Sequence, residues 1–256
     1  MHIDDLPDRT QDYLKKIYDL QEWGPGATLS SLAEHMGQRK STTSEAIKRL
    51  VAQDLVEHAP YGDIQLTDQG TTMALAMIRR HRMIETYLCT ELGYSLDEVH
   101  DEAEILEHAV SERFLEKISA VMGHPTRDPH GDPIPDAHGN LRTPPTLGLR
   151  EVEPGDRVYI DRISDREGDL LKYLYQHGVQ PGVQVEMQPR VFADMAELSI
   201  IDADGQVHSR VQLPSSSLGA VMCRRVQEAD LQADQAPDVQ ADQAPDLPAD
   251  LKGDDE

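Results

Sequence analysis

Residues 27–70, ATLSSLAEHMGQRKSTTSEAIKRLVAQDLVEHAPYGDIQLTDQG, constrain the fold of this chain more than any other stretch. Apolar positions recur at helical spacing over 29–36, Gly37 interrupts them, and they resume over about 41–53. Two short strands are predicted next, around Val56 and over 64–66, joined by Pro60-Tyr61-Gly62-Asp63. A helix pair closed by a two-stranded hairpin is the layout of a winged helix-turn-helix. Ahead of it, Tyr13, Leu14, Ile17, Tyr18 and Leu20 give residues 9–23 helical periodicity, and Gly24-Pro25-Gly26 stops it.

The second helix of the pair carries the side chains that a nucleic-acid reader needs. Lys and Arg neutralise phosphates, while short hydroxyls and amides bond phosphates or base edges. Gln38, Arg39, Lys40, Ser41, Thr42, Thr43, Ser44, Lys48 and Arg49 are the candidate DNA-contacting residues, and with Glu45 as the one acid, residues 38–50 carry about +3. A net charge of -23 over 256 residues would argue against a polyanionic partner if it were evenly spread. It is not, because residues 227–256 hold ten acids against Lys252, a net -9, and repeat ADQAPD at 233–238 and 241–246. Regular prolines and the lack of aromatic side chains predict a disordered acidic tail there, which leaves -14 on residues 1–226.

Long helical regions are predicted over 68–92 and 96–122, separated by Gly93-Tyr94-Ser95. Their apolar stripes, Met73, Ala76, Met77, Ile84 and Leu88 in one and Ile105, Leu106, Val110, Leu115 and Ile118 in the other, suit packing within or between subunits. Residues 123–145 hold six of the sixteen prolines, the composition of an interdomain linker in which His124, His130 and His138 are expected to be solvated. Beyond it, alternating segments at 156–163, 184–189, 196–202 and 206–213 predict strands, with a helix over 169–177 and a hairpin turn at Asp204-Gly205. The fold class expected is mainly α with a small β domain. In order, it comprises a winged helix-turn-helix over 1–70, a helical domain over 71–122, a Pro-rich linker over 123–149, an SH3-like β-barrel over 150–226 and the tail.

The helical domain carries a second constellation. His81 and Glu85 are four residues apart, as are His100, Glu104 and His108, and Glu107 follows Glu104 by nearly one turn. Such spacings place side chains on one helix face, where imidazole nitrogens and carboxylate oxygens converge on a divalent cation. Seven acids and no Lys or Arg occupy residues 91–107, so this face repels itself until a cation binds. A single His-Glu pair would more often be a solvated helix surface. Two such helices directly after a winged helix favour a metal sensor.

The order and spacing resemble the diphtheria toxin repressor family of metal-dependent repressors, in its manganese-transport-regulator branch. The resemblance covers residues 9 to about 226 through DYLKKIYDL, LAEHMGQRKSTTSEAIKRLVAQDLVE, RRHRMIETYL, VHDEAEILEHAVSE and PHGDPIP. It implies one metal site from Asp12, Glu104, Glu107 and His108, and a second from His81, Glu85 and His100 completed by Asp165 or Glu167 of the SH3-like domain. Iron-responsive members typically carry Met and Cys where this chain has Asp12 and Glu104, and hard oxygen donors suit Mn(II) better than sulfur does, so Mn(II) is preferred with Fe(II) as the alternative. Lys15 stands where short manganese regulators place a ligating acid, which favours two separate sites over a two-metal cluster. The family also implies a homodimer on a palindromic double-stranded operator, with uptake transporters as the genes repressed.

Neither a membrane span nor secretion is expected, since no run of eighteen apolar residues occurs and MHIDDLPDRT lacks a signal-like start. Cys89 and Cys223, isolated from each other, predict a reducing, cytoplasmic setting. No organic cofactor and no enzymatic activity are expected. Two other readings stay open on the residues alone: a winged-helix regulator of another effector, and a metalloenzyme with Glu107 or Glu102 as general base.

Overall fold

A computed structural model describes residues 2–59, 62–96, 98–143, 145–190 and 192–226. The expected tail, Pro60 and Tyr61 of the expected wing turn, and Asp97 of the acidic run lie outside the described residues. Helix α1 (Asp8–Trp23) buries Tyr13, Leu14, Ile17 and Leu20 in the apolar core of the reading head. Helix α2 (Leu29–His35) begins with a reciprocal cap, in which Thr28 Oγ1 accepts from Ser31 N (3.1 Å) and Ser31 Oγ accepts from Thr28 N (3.0 Å). Gly37, at φ +60°, lets the chain turn tightly into α3 (Lys40–Ala52). Strands β1 (Val56–His58) and β2 (Ile64–Leu66) pair antiparallel as the wing.

Helix α4 (Asp68–Leu92) follows, capped by Thr67 and ended by Gly93 in the left-handed conformation. A Cβ on Gly70 would lie 1.9 Å from the Leu55 carbonyl oxygen, so only glycine lets α4 start this close to the wing. The single helix expected over 96–122 is two helices, α5 (Val99–Leu106) and α6 (Glu112–Val121). Ser111 is the reason, because its extended backbone and its side chain, which accepts from Phe114 N, start a new helix. His108 therefore lies beyond α5 instead of sharing its His100–Glu104 face.

The proline-rich segment differs from expectation in its middle. Asp128, His130, Asp132 and Ile134 are buried, and Ile163 N donates to the His130 carbonyl (3.0 Å). His130 is thus a packed residue, 1% exposed, whereas His124 and His138 are exposed. Gly131 at φ +89° makes the close approach possible, since a Cβ there would meet the Asp161 carbonyl oxygen at 2.1 Å.

The C-terminal domain is a six-stranded antiparallel sheet in the order β3-β8-β4-β5-β6-β7, formed by β3 (Leu147–Gly148), β4 (Arg157–Ile163), β5 (Gln184–Met187), β6 (Met195–Ile201), β7 (Val207–Pro214) and β8 (Val221–Arg225). The expected helix is α7 (Gly168–Gln176), and Gly205 at φ +75° makes the expected hairpin between β6 and β7. Strands β3 and β8 were not legible in the sequence. One core of Leu149, Val158, Ile160, Leu174, Val185, Leu198, Val211 and Cys223 holds the sheet together.

Candidate metal centre

Helix α4 points His81 and Glu85 towards α5, which supplies His100, while the loop after β4 supplies Asp165. His81 Nε2 lies 3.0 Å from Glu85 Oε1 and 3.2 Å from His100 Nδ1, and His100 Nδ1 lies 3.0 Å from Asp165 Oδ2. One donor atom from each of the four falls within 4.8 Å of the others. Both Glu85 oxygens are buried without an aligned hydrogen bond, facing the two imidazoles, which leaves their lone pairs available to a cation. Two imidazoles and two carboxylates fit a hard or borderline divalent ion. Glu167, by contrast, is exposed ahead of α7 and stands outside this group.

The second convergence joins the reading head to the helical domain. His108 Nε2 lies 2.9 Å from Asp12 Oδ1 of α1 and 3.7 Å from Glu107 Oε1. Gln11 completes it, a residue the sequence offered no signal for. Its buried amide donates to the carbonyls of Ile3 (3.1 Å) and Leu6 (2.8 Å), which turns Oε1 towards His108 Nδ1 at 2.9 Å. Nδ1–H donates a hydrogen bond to this oxygen, which leaves the Nε2 lone pair on the Asp12 side. Glu104 stands apart from Asp12 and His108; its Oε1 is 2.7 Å from Lys15 Nζ and it groups with His81 and Glu107.

Glu107 links the two convergences, since its Oε2 is 2.6 Å from His81 Nδ1. A carboxylate on the outer nitrogen of a metal-facing histidine fixes the ring and its tautomer. Charges are strongly coupled here. Burial opposes protonation of His81, yet Glu85 and Glu107 push the imidazole up to about 9; for His100, Asp165 and Glu85 overcome burial and raise it to about 10. Burial works against ionised Glu104, and Lys15 holds it down at about 2 nevertheless. Asp12 is raised, chiefly by burial.

In the recognition helix the structure leaves Arg39, Lys40, Ser41, Thr42, Lys48 and Arg49 exposed and Ser44 partly so. Thr43 is the exception among the candidates, being fully buried with Oγ1 donating to the Arg39 carbonyl (3.3 Å), because it sits on the core-facing side of α3 beside Ala46 and Ile47. Gln38 is half-buried and its amide lies 2.7 Å from the Tyr13 hydroxyl, tying the start of α3 to α1. Lys48 pairs with Glu45 at 2.7 Å on the solvent side.

A DNA-binding head joined to a cation-binding helical domain defines a metal-responsive regulator, and the comparisons agree. Residues 5–64 match the N-terminal DNA-binding domain of iron-dependent repressors, 67–136 their metal-binding and dimerisation domain, and 147–225 the FeoA domain. The chain is 30% identical over 237 residues to the iron-dependent repressor IdeR of Mycobacterium leprae, covering 88% of this chain and all of that one. It is 31% identical over 196 residues to the diphtheria toxin repressor of Corynebacterium diphtheriae, covering 73% of this chain and 87% of the relative. A solved manganese-dependent transcriptional repressor in complex with manganese shares 45% identity at a TM-score of 0.78, covering 85% of this chain and all of that one. The chain belongs to the diphtheria toxin repressor family of iron- and manganese-dependent transcriptional repressors. No helix among the described residues is long and apolar enough to cross a membrane.

Proposed function

We propose that this chain is a Mn(II)-responsive repressor that loads two ions per subunit, one at Asp12, Glu107 and His108 and one at His81, Glu85, His100 and Asp165. The observation that carries the reading is the meeting of Asp12, on α1 of the reading head, with Glu107 and His108 beyond α5. Metal there supplies a divalent charge that holds anions from the two regions together. Asp12 and His108 then hold α1 against the helical domain, and Gln38 with Tyr13 passes that placement to the start of α3. Ions that favour the DNA-competent arrangement shift the population towards it, and DNA tightens metal binding in return.

All donors at both sites are oxygen or nitrogen, which supports Mn(II) over softer ions; the iron-dependent relatives keep Fe(II) as the second reading. Exposed Leu92, Ile105, Phe114 and Val121 on α4, α5 and α6 support pairing of two chains through these helices, and a two-fold dimer calls for a palindromic operator. Selection of random duplex DNA by the chain with Mn(II), or with Fe(II) under anaerobic conditions, tests this. Enrichment of one palindrome that chelator abolishes is expected. Equal enrichment without metal would sink the metal-sensor reading.

Metal loading is also expected to release protons. His81 and His100 are held near 9 and 10, so without metal both are charged at neutral pH, and their ion pairs stabilise the fold fully below about pH 6.5 and less as pH rises through those values. Ligation needs neutral imidazole, so about two protons leave per ion at this site near pH 7.5, and the release falls away as pH rises through about 9 and 10. Calorimetry of Mn(II) binding in buffers of different ionisation enthalpy measures this. Uptake with no proton release would remove the two histidines from the ligand set.

A further inference from the structure

Arg9 lies between a candidate metal ligand and the start of the recognition helix. It stands in the first turn of α1, with Nη1 3.9 Å from Asp12 Oδ2. With the Gln38 carboxamide turned so that its nitrogen donates to the Tyr13 hydroxyl at 2.7 Å, its oxygen accepts from Arg9 Nε at 2.8 Å and also from Nη2. Arg49 of α3 lines the same cleft as Arg9. The Arg9 side chain is 60% exposed, so it extends the exposed cations Arg39, Lys40 and Arg49 onto α1. Cations around the N-terminal end of a recognition helix face the phosphates that border the groove it reads. An exposed ion pair at 3.9 Å is weak and screened, so Arg9 can exchange its carboxylate for a phosphate. Asp12 has a competing claim on it, because His108 Nε2 lies 2.9 Å from its Oδ1 within a group able to hold a metal. A carboxylate committed to a divalent ion no longer compensates a neighbouring guanidinium.

We propose that Arg9 is a metal-gated contact to the phosphate backbone of double-stranded DNA, compensated by Asp12 in the metal-free chain and released to a phosphate once Asp12 ligates an ion. This rests on the assignment of Asp12 to a metal site above. Occupancy of that site then changes the charge presented to DNA by one positive unit per subunit, without any movement of α3.

The salt dependence of binding counts such contacts, because each phosphate neutralised on duplex DNA adds about 0.9 to the slope of log K against log salt. The test measures that slope for the full chain on a duplex of random sequence, in chelator and in Mn(II). Arg9→Gln is expected to lower the slope by about 0.9 per subunit in Mn(II) and by less than half of that in chelator. Arg9→Lys, which keeps the charge, is expected to hold the wild-type slope in both. Equal losses for Arg9→Gln in the two conditions, or no loss in Mn(II), would overturn the proposal. Asp12→Asn tests the gate without metal. In chelator it is expected to steepen the slope by about 0.9 per subunit, a gain that Arg9→Gln in the same chain removes. A gain that survives Arg9→Gln would reflect only the lost negative charge and would overturn the proposal. Undiminished Mn(II) uptake by Asp12→Asn in equilibrium dialysis would instead overturn the ligand assignment beneath it.

Discussion

His108→Ala is expected to abolish metal-dependent operator binding, weakening it at least about 100-fold at fixed Mn(II), while leaving the fold intact. Removing a group that merely orients a metal ligand costs roughly 10–100-fold, and loss of a direct ligand exceeds that. His108 is partly exposed and touches Asp12, Gln11 and Glu107; on its removal the part-exposed Asp12 keeps Arg9 at 3.9 Å, so no fully buried charge loses its last partner. Glu107→Ala is the less informative variant. Glu107 is fully buried and holds both Lys15 Nζ and His81 Nδ1, so Ala there leaves a buried ammonium with Glu104 as its remaining carboxylate and costs about 3–5 kcal/mol of stability. Fluorescence anisotropy on the selected duplex, run beside urea denaturation, separates the two effects. Undiminished activation of His108→Ala at micromolar Mn(II) would remove His108 from the ligand set.

The sequence made some of this visible and hid the rest for identifiable reasons. The i, i+4 spacing of His81 and Glu85 lies inside a long helix that keeps its periodicity throughout, so both location and orientation could be read. His108 shares that spacing with Glu104 yet faces α1, because Ser111 starts a new helix and the chain turns between them. Period arguments fail at such breaks, since a local cap overrides the pattern. Of the alternatives Asp165 and Glu167, side-chain identity could not choose. The backbone after β4 does, sending Asp165 inward to His100 and Glu167 out to solvent. Lys15 was legible only as a departure from a resemblance. Its partners lie 89 and 92 residues away, a distance that no local pattern encodes. The segment around His130 read as solvated because proline and glycine are abundant there, but Gly131 is what lets that backbone press onto β4.

Replacing Arg162 with Met is expected to destabilise the chain by about 3 kcal/mol and to weaken the His81–Glu85–His100–Asp165 site more than the Asp12 site. A register shift in β4 between Ile160 and Arg162 leaves Asp161, Arg162 and Ile163 all buried. Arg162 thereby reaches Glu22 of α1 (3.0 Å), pairs with Asp132 and stacks over the Trp23 ring at 4.7 Å. Arg82 of α4 pairs with the same two acids at 2.8 and 3.2 Å. Asp128 lies beside this group, and burial and then the neighbouring Asp132 hold its carboxyl well above the usual range; burial raises Asp132 too, against the pull of both guanidinium groups. Two guanidinium groups share Glu22 and Asp132, and deleting Arg162 leaves these acids with Arg82 alone. Arg82 still serves both acids, which places the loss at the lower end of the cost of breaking a buried pair. Glu22→Gln added to Arg162→Met is expected to restore part of the loss, with a coupling of about 1–3 kcal/mol in a double-mutant cycle followed by urea denaturation. The metal effect follows from continuity of the chain. Asp165 is three residues beyond Arg162, and Arg166, whose guanidinium donates to the Asp19 carbonyl of α1 at 2.6 Å, adjoins it. Loosening β4 from α1 and α4 therefore frees the one ligand that the C-terminal domain contributes, whereas Asp12, Glu107 and His108 keep their own supports. A change within roughly 0.5 kcal/mol, or equal weakening of both sites, would show that the network does not position Asp165.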